Sequence, residues 1–362
     1  MSGQAAETQA QRESAGTQGL ERTLAYARAA VRIVSVPVTV FLIATFATYA
    51  LGALGGANPA AEVLGQDATP AAIARLDHQF GLDRPFLVQY FTWLGHALTG
   101  NLGKSYFTSI PVSTSVGQAL PVDASIAVLA LCFAVLIGGG AGIAAALRQG
   151  SRLDRAVTLI CSGVATVPPF IVGIALIVVF AVFLKVLPSG GYVGLTADPG
   201  QWLRFALLPG LALSAEGAAA IARQLRTSLV GALRENYVLG AAARGLPARR
   251  VLFRHVLRNA AGPALTVLGL EIPNLIGGAV VAEKIFALPG VAQLALQAGT
   301  EHDIPVIQGT LLVTIGVVLI SNIAVNLALV AVNPQGRRGT RTVRPQAAAR
   351  GAAAQPTAGA VA

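Results

Sequence analysis

Gly103-Lys104-Ser105 carries the end of a phosphate-binding loop, in which backbone N–H groups cradle phosphates and a lysine reaches the outermost ones. The full loop reads Gly-x-x-x-x-Gly-Lys-Ser/Thr, and Leu98 stands where its first glycine belongs, so the motif fails. The histidines His78, His96, His255 and His302 are scattered, without the spacing that brings two imidazoles to one metal. Cys132 and Cys161 both lie in apolar runs and read as small buried hydrophobes. No Gly-x-Ser-x-Gly nucleophile elbow is present. The sequence therefore offers no catalytic residue, no cofactor site and no metal site. A machine driven by ATP would need its ATPase on another chain.

Two acids and a proline suggest a path rather than a reaction. Glu216 and Glu271 lie within apolar segments, where a carboxylate is costly and by default marks a substrate or ion route. They would line that route and attract cationic groups; the plainer alternative is an acid near a span end or one hydrogen-bonded between helices. Pro273, two residues beyond Glu271, loosens the local backbone bonds and reads as a gate hinge or as a static kink. Pro168-Pro169 poses the same choice. Asp123, just after Pro121, is read as favouring a helix N-terminus.

The elements that must hold these residues are apolar. Hydrophobic residues make up 54% of the 362 and charged residues only 12%, too few to coat a water-facing surface. Six stretches are long enough to cross a bilayer, near Val31–Gly52, Val122–Leu147, Ala156–Leu187, Leu203–Ala222, Pro263–Ala282 and Pro305–Val332. The fourth is the weakest, because it contains Pro209, Gly210 and Glu216. The first has a longer apolar run and a longer polar leader than a signal peptide, and reads as an uncleaved anchor. The expected fold class is all-α and integral to the membrane, with six transmembrane helices.

The net charge of +10 could suggest a nucleic-acid partner, but its distribution argues for topology. Residues 1–32, 148–155, 223–258 and 337–350 carry 20 of the 26 basic residues, all arginine, and the opposite flanks carry the other 6. This bias places both termini in the cytoplasm, and no nucleic acid is expected. The expected organisation is a disordered tail over 1–30, helix 1 over 31–52, an extracytoplasmic subdomain over 53–121, a core over 122–336, and a second disordered tail over 337–362. A helix is expected near Ala71–Phe80, and 283–304 forms a second outside loop.

The longest internal cytoplasmic segment, Arg223 to Pro263, is not random. Asn236–Arg244 is Ala-rich, Gly245 can end a helix in the left-handed conformation, and Pro247 suits the first turn of the next. Beyond it Leu252, Phe253, Val256 and Leu257 recur at helical spacing, and Arg250, Arg254 and Arg258 line another face. The pattern fits an amphipathic helix lying on lipid headgroups. It equally fits a docking knob, in which Ala241, Ala242, Ala243 and Gly245 let another backbone approach closely.

Here the sequence resembles the inner-membrane permeases of ABC importers of the oligopeptide/dipeptide/nickel class. That family's cytoplasmic loop has Glu-Ala-Ala followed by Gly, matched at Ala241, Ala242 and Gly245; Gly240 replaces the Glu, which this class often lacks. Asn58–Leu94, Asn101–Val112, Pro188–Tyr192, Gly277–Leu294 and Asp303–Gly309 resemble further motifs in the family's order, and the resemblance runs from about 31 to 336. Asn333-Pro334 departs from the Asp-Pro often found there.

The resemblance implies a pore-forming subunit with a cytoplasmic coupling helix, set between helices 4 and 5 within 223–262, that inserts into a groove on an ATPase. Tyr237, Ala241, Ala242, Gly245, Leu246, Arg249, Arg250 and Arg254 would make that contact. The implied partners are a second homologous permease subunit, two ATPase subunits and an extracytoplasmic substrate-binding protein docking on 53–121 and 283–304, with lipid around the spans. Dipeptides or oligopeptides are the expected cargo, with nickel complexes or other small solutes as the alternative. An ion-coupled secondary transporter is the rival from another class, but no internal repeat supports it. An intramembrane enzyme would need a convergent nucleophile and base that the spans do not offer.

Overall fold

In the computed structural model, which describes residues 35, 38–52, 56 and 58–332, the regular elements are helices, and one isolated antiparallel bridge joins Lys104 to Pro111. The tails over 1–30 and 337–362, the start of helix 1 and Asn333-Pro334 lie outside the described residues. Helix α1 is Val38–Gly52. A peripheral unit follows, built from α2 (Pro59–Leu64), α3 (Pro70–Phe80) and α4 (Phe86–Leu98). The expected helix near Ala71–Phe80 is thus present, capped by Thr69, whose Oγ1 accepts the N–H of Ala72 at 3.2 Å, and ended by Gly81 at φ +72°.

The membrane helices differ from the hydropathy reading in their breaks. Helix α5 (Val112–Leu147) runs 36 residues, about 54 Å, and so overshoots a bilayer core of about 30 Å. The segment expected as one span over Ala156–Leu187 is instead two helices, α6 (Arg152–Val164) and α7 (Pro169–Phe183), meeting at 104°. Pro169 is the cause. It forbids helical backbone at the residue before it, and Pro168 takes the extended conformation with ψ 142°.

The stretch with the weakest span signal is the centre of the fold. Helix α8 (Pro199–Leu233) is 35 residues long, and 67% of its most apolar stretch is buried inside the protein. Helices α5, α6, α7 and the later α10 all pack on it. A helix surrounded by protein rather than lipid needs small residues for close approach more than it needs bulk hydrophobicity. On α5, Gly138 and Gly142 lie one turn apart against Ala218 and Ala222 of α8; a Cβ on Gly142 would stand only 2.8 Å from the carbonyl oxygen of Ala222. The same helix carries Arg226 beyond the expected span end, where its guanidinium pairs bidentately with the buried Asp154 of α6, at 2.5 and 2.8 Å.

The chain continues through α9 (Asn236–Ala243) and α10, whose two parts Ala248–Ile272 and Gly277–Ile285 meet at 62°. Pro273 lies in that bend; its side chain is outside the described set. Helices α11 (Val291–Thr300) and α12 (Ile304–Val332) complete the fold. The loop after α4 and helix α1 are bolted to the start of α12 by buried polar bonds, and α1 in turn to α4. Asp303 takes the Ser105 hydroxyl at 2.5 Å and the Tyr106 N–H at 3.2 Å, and burial pushes its carboxyl above the ordinary range. Gln308 Nε2 donates to the carbonyl of Thr45 on α1 at 3.0 Å, and the Thr45 and Tyr90 hydroxyls meet at 2.9 Å. The Gly103-Lys104-Ser105 segment is therefore a structural latch.

Candidate functional site

The elbow after α9 is built by one glycine. Gly245 has φ +74°, its N–H donates to the Ala242 carbonyl at 2.9 Å, and Leu246 N–H reaches the Ala241 carbonyl at 3.3 Å. These two bonds satisfy helix-end carbonyls and turn the chain sharply. Pro247 is extended, at ψ 136°, and caps the following helix rather than entering its first turn.

The elbow is anchored from beneath. Ala241, Val251, Leu252 and Val256 are buried in one cluster with Leu225 and Leu229 of α8 and Ala260 and Ala264 of α10, and Leu246 and Leu257 pack against its edge. Leu229 and Val256 are wholly buried. The elbow is thus joined to the central helix and to the start of α10 through close-packed side chains.

Its other face is bare. Tyr237, Leu239 and Phe253 are 38, 64 and 55% exposed, and Ala242, Gly245, Arg249, Arg250 and Arg254 are exposed around them. The expected apolar face of Leu252, Phe253, Val256 and Leu257 is therefore split, with Phe253 on the outside. At about 100° per residue Phe253 lies at the edge of the face centred on Leu252 and Val256, and Val251–Val256 is π-helical. Large apolar side chains ringed by arginines are the composition of an interface core and rim.

Glu216 and Glu271 are brought together across α8 and α10. Glu271 is 8% exposed and packs on Gly217, where a Cβ would stand 3.3 Å from its Oε2. Glu216, the neighbouring residue, is half-buried.

A cavity of about 610 Å³ lies among α5, α8, α10, α11 and α12, and neither of those acids lines it. It is apolar except for Thr314, Ser321 and two carboxylates that the sequence reading did not single out as a pair, Asp123 and Glu283. Asp123 Oδ2 accepts the Val291 N–H at 2.8 Å, and Glu283 accepts the N–H groups of Ala292 at 3.3 Å and Gln293 at 2.6 Å. The two acids thus hold the N-terminus of α11, where the free N–H groups and the helix dipole favour negative charge. Asp123 does favour a helix N-terminus, but one 168 residues away. Nothing in the local sequence signals this, because Glu283 sits just past the apolar stretch Pro263–Ala282, at the start of the segment read as an outside loop. Asp123→Ala is expected to release α11. A bond to a charged acceptor contributes about 1.5 kcal/mol or more, so amide exchange at Val291 should quicken about tenfold, read by hydrogen-exchange mass spectrometry.

Motifs far apart in sequence meet near this cavity. Gly191 of the Pro188–Tyr192 segment donates to the Phe286 carbonyl at 2.8 Å, and the Tyr192 hydroxyl and the Trp202 indole both reach the Ser125 hydroxyl, at 3.0 and 3.2 Å.

Residues 138–338 match the family described as binding-protein-dependent transport system inner membrane component, and residues 27–127 match the N-terminal part of such membrane components. A probable peptide ABC transporter permease of Sinorhizobium fredii is 35% identical over 306 residues, covering 84% of this chain and 97% of the relative. A dipeptide transport system permease of Alkalihalophilus pseudofirmus is 33% identical over 311 residues, covering 80% and 93%. A metal-staphylopine import system permease of Staphylococcus aureus is 32% identical over 304 residues, covering 83% and 95%. The family match spans more than half of the chain and the relatives align over nearly their whole length, so the chain belongs to the inner-membrane permease components of binding-protein-dependent ABC transport systems.

Proposed function

We propose that this chain forms one half of the pore of an ATP-driven peptide importer, and that the elbow around Gly245 is the handle through which the ATPase moves it. One observation carries the reading: the elbow has a bare apolar and arginine-rich face and a buried face fused to the central helix α8. ATP binding on two partner ATPase subunits closes them around Tyr237, Ala242, Gly245, Arg249, Arg250 and Arg254, while Ala241 and Leu246 anchor the elbow to the pore. Closure swings α8 and α10 as a unit, and the cavity is exposed to one side and then the other. Nucleotide shifts this equilibrium only by its differential affinity for the two states. Glu216, Glu271 and the bend at Pro273 lie on the moving helices; the two acids stand outside the cavity in this conformation and serve the path and its gate as the helices swing. A second homologous permease supplies the other wall, and a substrate-binding protein delivers cargo to 53–121 and 283–304.

Peptide cargo is favoured by the names of the relatives; the staphylopine relative keeps metal complexes as the second reading. Uptake of labelled dipeptide into vesicles holding the chain and its partners is expected to require ATP and to survive collapse of ion gradients. Uptake that follows the ion gradient without ATP would overturn the proposal.

The three straight helices, the two bent pairs and α1 make six spans, with both termini cytoplasmic and the peripheral unit outside. Thr69 is exposed at the start of α3. A cysteine at Thr69, in a chain with Cys132 and Cys161 replaced by alanine, is expected to react with a membrane-impermeant maleimide in intact cells. Reaction only after permeabilisation would reverse this topology.

A further inference from the structure

The peripheral unit has a cavity of its own, about 420 Å³, between α3, α4, the 103–109 loop and the start of α12. Its volume falls within the range of about 300–1,000 Å³ common to small-molecule sites. Aromatic rings wall it: Phe80 and Tyr106 are stacked with centroids 4.3 Å apart, and Tyr49 and Trp93 face the same space.

Its charge is one-sided. Arg84, Lys104 and His96 line it, and no carboxylate is among the lining residues. Among the described residues neither Arg84 nor Lys104 is in a salt bridge. Asp77 lines the adjoining cavity rather than this one, and its Oδ2 accepts from Asn58 Nδ2 at 3.1 Å. The acids next in sequence to lining residues are engaged elsewhere. Asp83, next to Arg84, holds His78 at 2.7 Å, and both oxygens of Asp303 are taken by Ser105 and Tyr106. The indole N–H of Trp93 is buried and has no hydrogen-bond partner. The Trp93 ring lines the cavity, whose two cations Arg84 and Lys104 have no salt-bridge partner among the described residues.

We propose that this cavity is a binding site for a carboxylate carried on a small apolar or aromatic body, separate from the membrane cavity. The carboxylate is neutralised by Arg84 and Lys104, and its body lies against Phe80, Tyr106 and Trp93. The site stands on these residues alone and does not depend on which cargo crosses the membrane. The carboxylate has two sources, the C-terminus of a short peptide and an acidic side chain, and the test separates them.

The chain has two tryptophans, and Trp202 is packed in the α5–α8 core, so a ligand in this cavity is read through Trp93. The full chain in detergent is titrated with N-acetylphenylalanine, its amide, and N-acetylaspartic acid amide. A saturable fluorescence change with at least one of the two acids, lost in Trp93→Phe and about tenfold weaker with the uncharged amide, is the expected result; tenfold corresponds to about 1.4 kcal/mol. Tighter binding of N-acetylphenylalanine assigns the site to a peptide C-terminus, and tighter binding of the aspartyl compound to an acidic side chain. Arg84→Gln with Lys104→Gln should weaken the acid about tenfold, and Arg84→Lys with Lys104 intact should retain it. Both side chains are exposed, so the fold should persist; if the double variant does not fold, the acid-against-amide comparison on the unaltered chain decides. Equal binding of acid and amide, or no saturable change with either acid, overturns the proposal.

Discussion

Replacing Gly245 by aspartate is expected to leave the chain in the membrane and to reduce ATP-driven uptake about a hundredfold, with loss of ATPase co-purification. Gly245 sits at φ +74° with no atom within 4 Å of where a Cβ would be, so the harm does not come from crowding inside the chain. It comes chiefly from the charge. Aspartate, like asparagine, tolerates the left-handed region better than most side chains, but its carboxylate at the negative end of α9 costs about 0.3–1 kcal/mol. The new charge would also enter the face proposed to meet the ATPase, beside Arg249 and Arg250. Two controls separate the causes. Gly245→Asn, which tolerates the left-handed conformation, should keep most activity, and Gly245→Ala should lose about tenfold through strain alone. Wild-type uptake by the Asp variant, with the ATPase still bound, would refute the handle.

The second large effect is expected from Gly142→Val. This glycine lets α5 approach the Ala222 backbone of α8, and a Cβ there would stand 2.8 Å from the Ala222 carbonyl oxygen and 3.2 Å from its Cα. These are backbone atoms of the central helix, which cannot move aside as the end of a flexible side chain can. Overpacking costs about 1–3 kcal/mol where side chains yield, and this contact should reach the top of that range or exceed it. The chain should show a lower thermal midpoint and faster proteolysis. Gly139→Val is the internal control, because nothing lies within 4 Å of a Cβ there. Equal stability of the two variants would show that close approach of α5 and α8 is dispensable.

How much was legible beforehand follows from the range of the forces involved. The helix at Pro70–Phe80, the turn at Gly245 and the apolar stretches were readable because capping, left-handed glycine and hydropathy act over a few residues. The break at Pro168 was visible as a residue type but not as a 104° angle, because proline removes a bond without dictating where the next helix points. Helix α11 was missed for a related reason. Its N-terminus is held by Asp123 and Glu283, which reach it from α5 and α10.

The amino-acid sequence by itself determined that the chain is apolar enough for a membrane, that its arginines cluster in four segments flanking the apolar stretches, and that an Ala/Gly elbow stands between α8 and α10. These are properties of composition and local spacing, and they survive without coordinates; the permease reading came from likeness to a family, not from composition. Only the tertiary structure decided which helix is central, which face of the elbow is free, and which acids meet. Hydropathy ranked α8 last because it measures affinity for lipid, and a helix enclosed by other helices is selected for close contact instead. The cluster that anchors the elbow to α8, the pairing of Asp123 with Glu283 at α11, and the cation-lined cavity beside Trp93 all join residues through space. No period along the chain encodes such meetings.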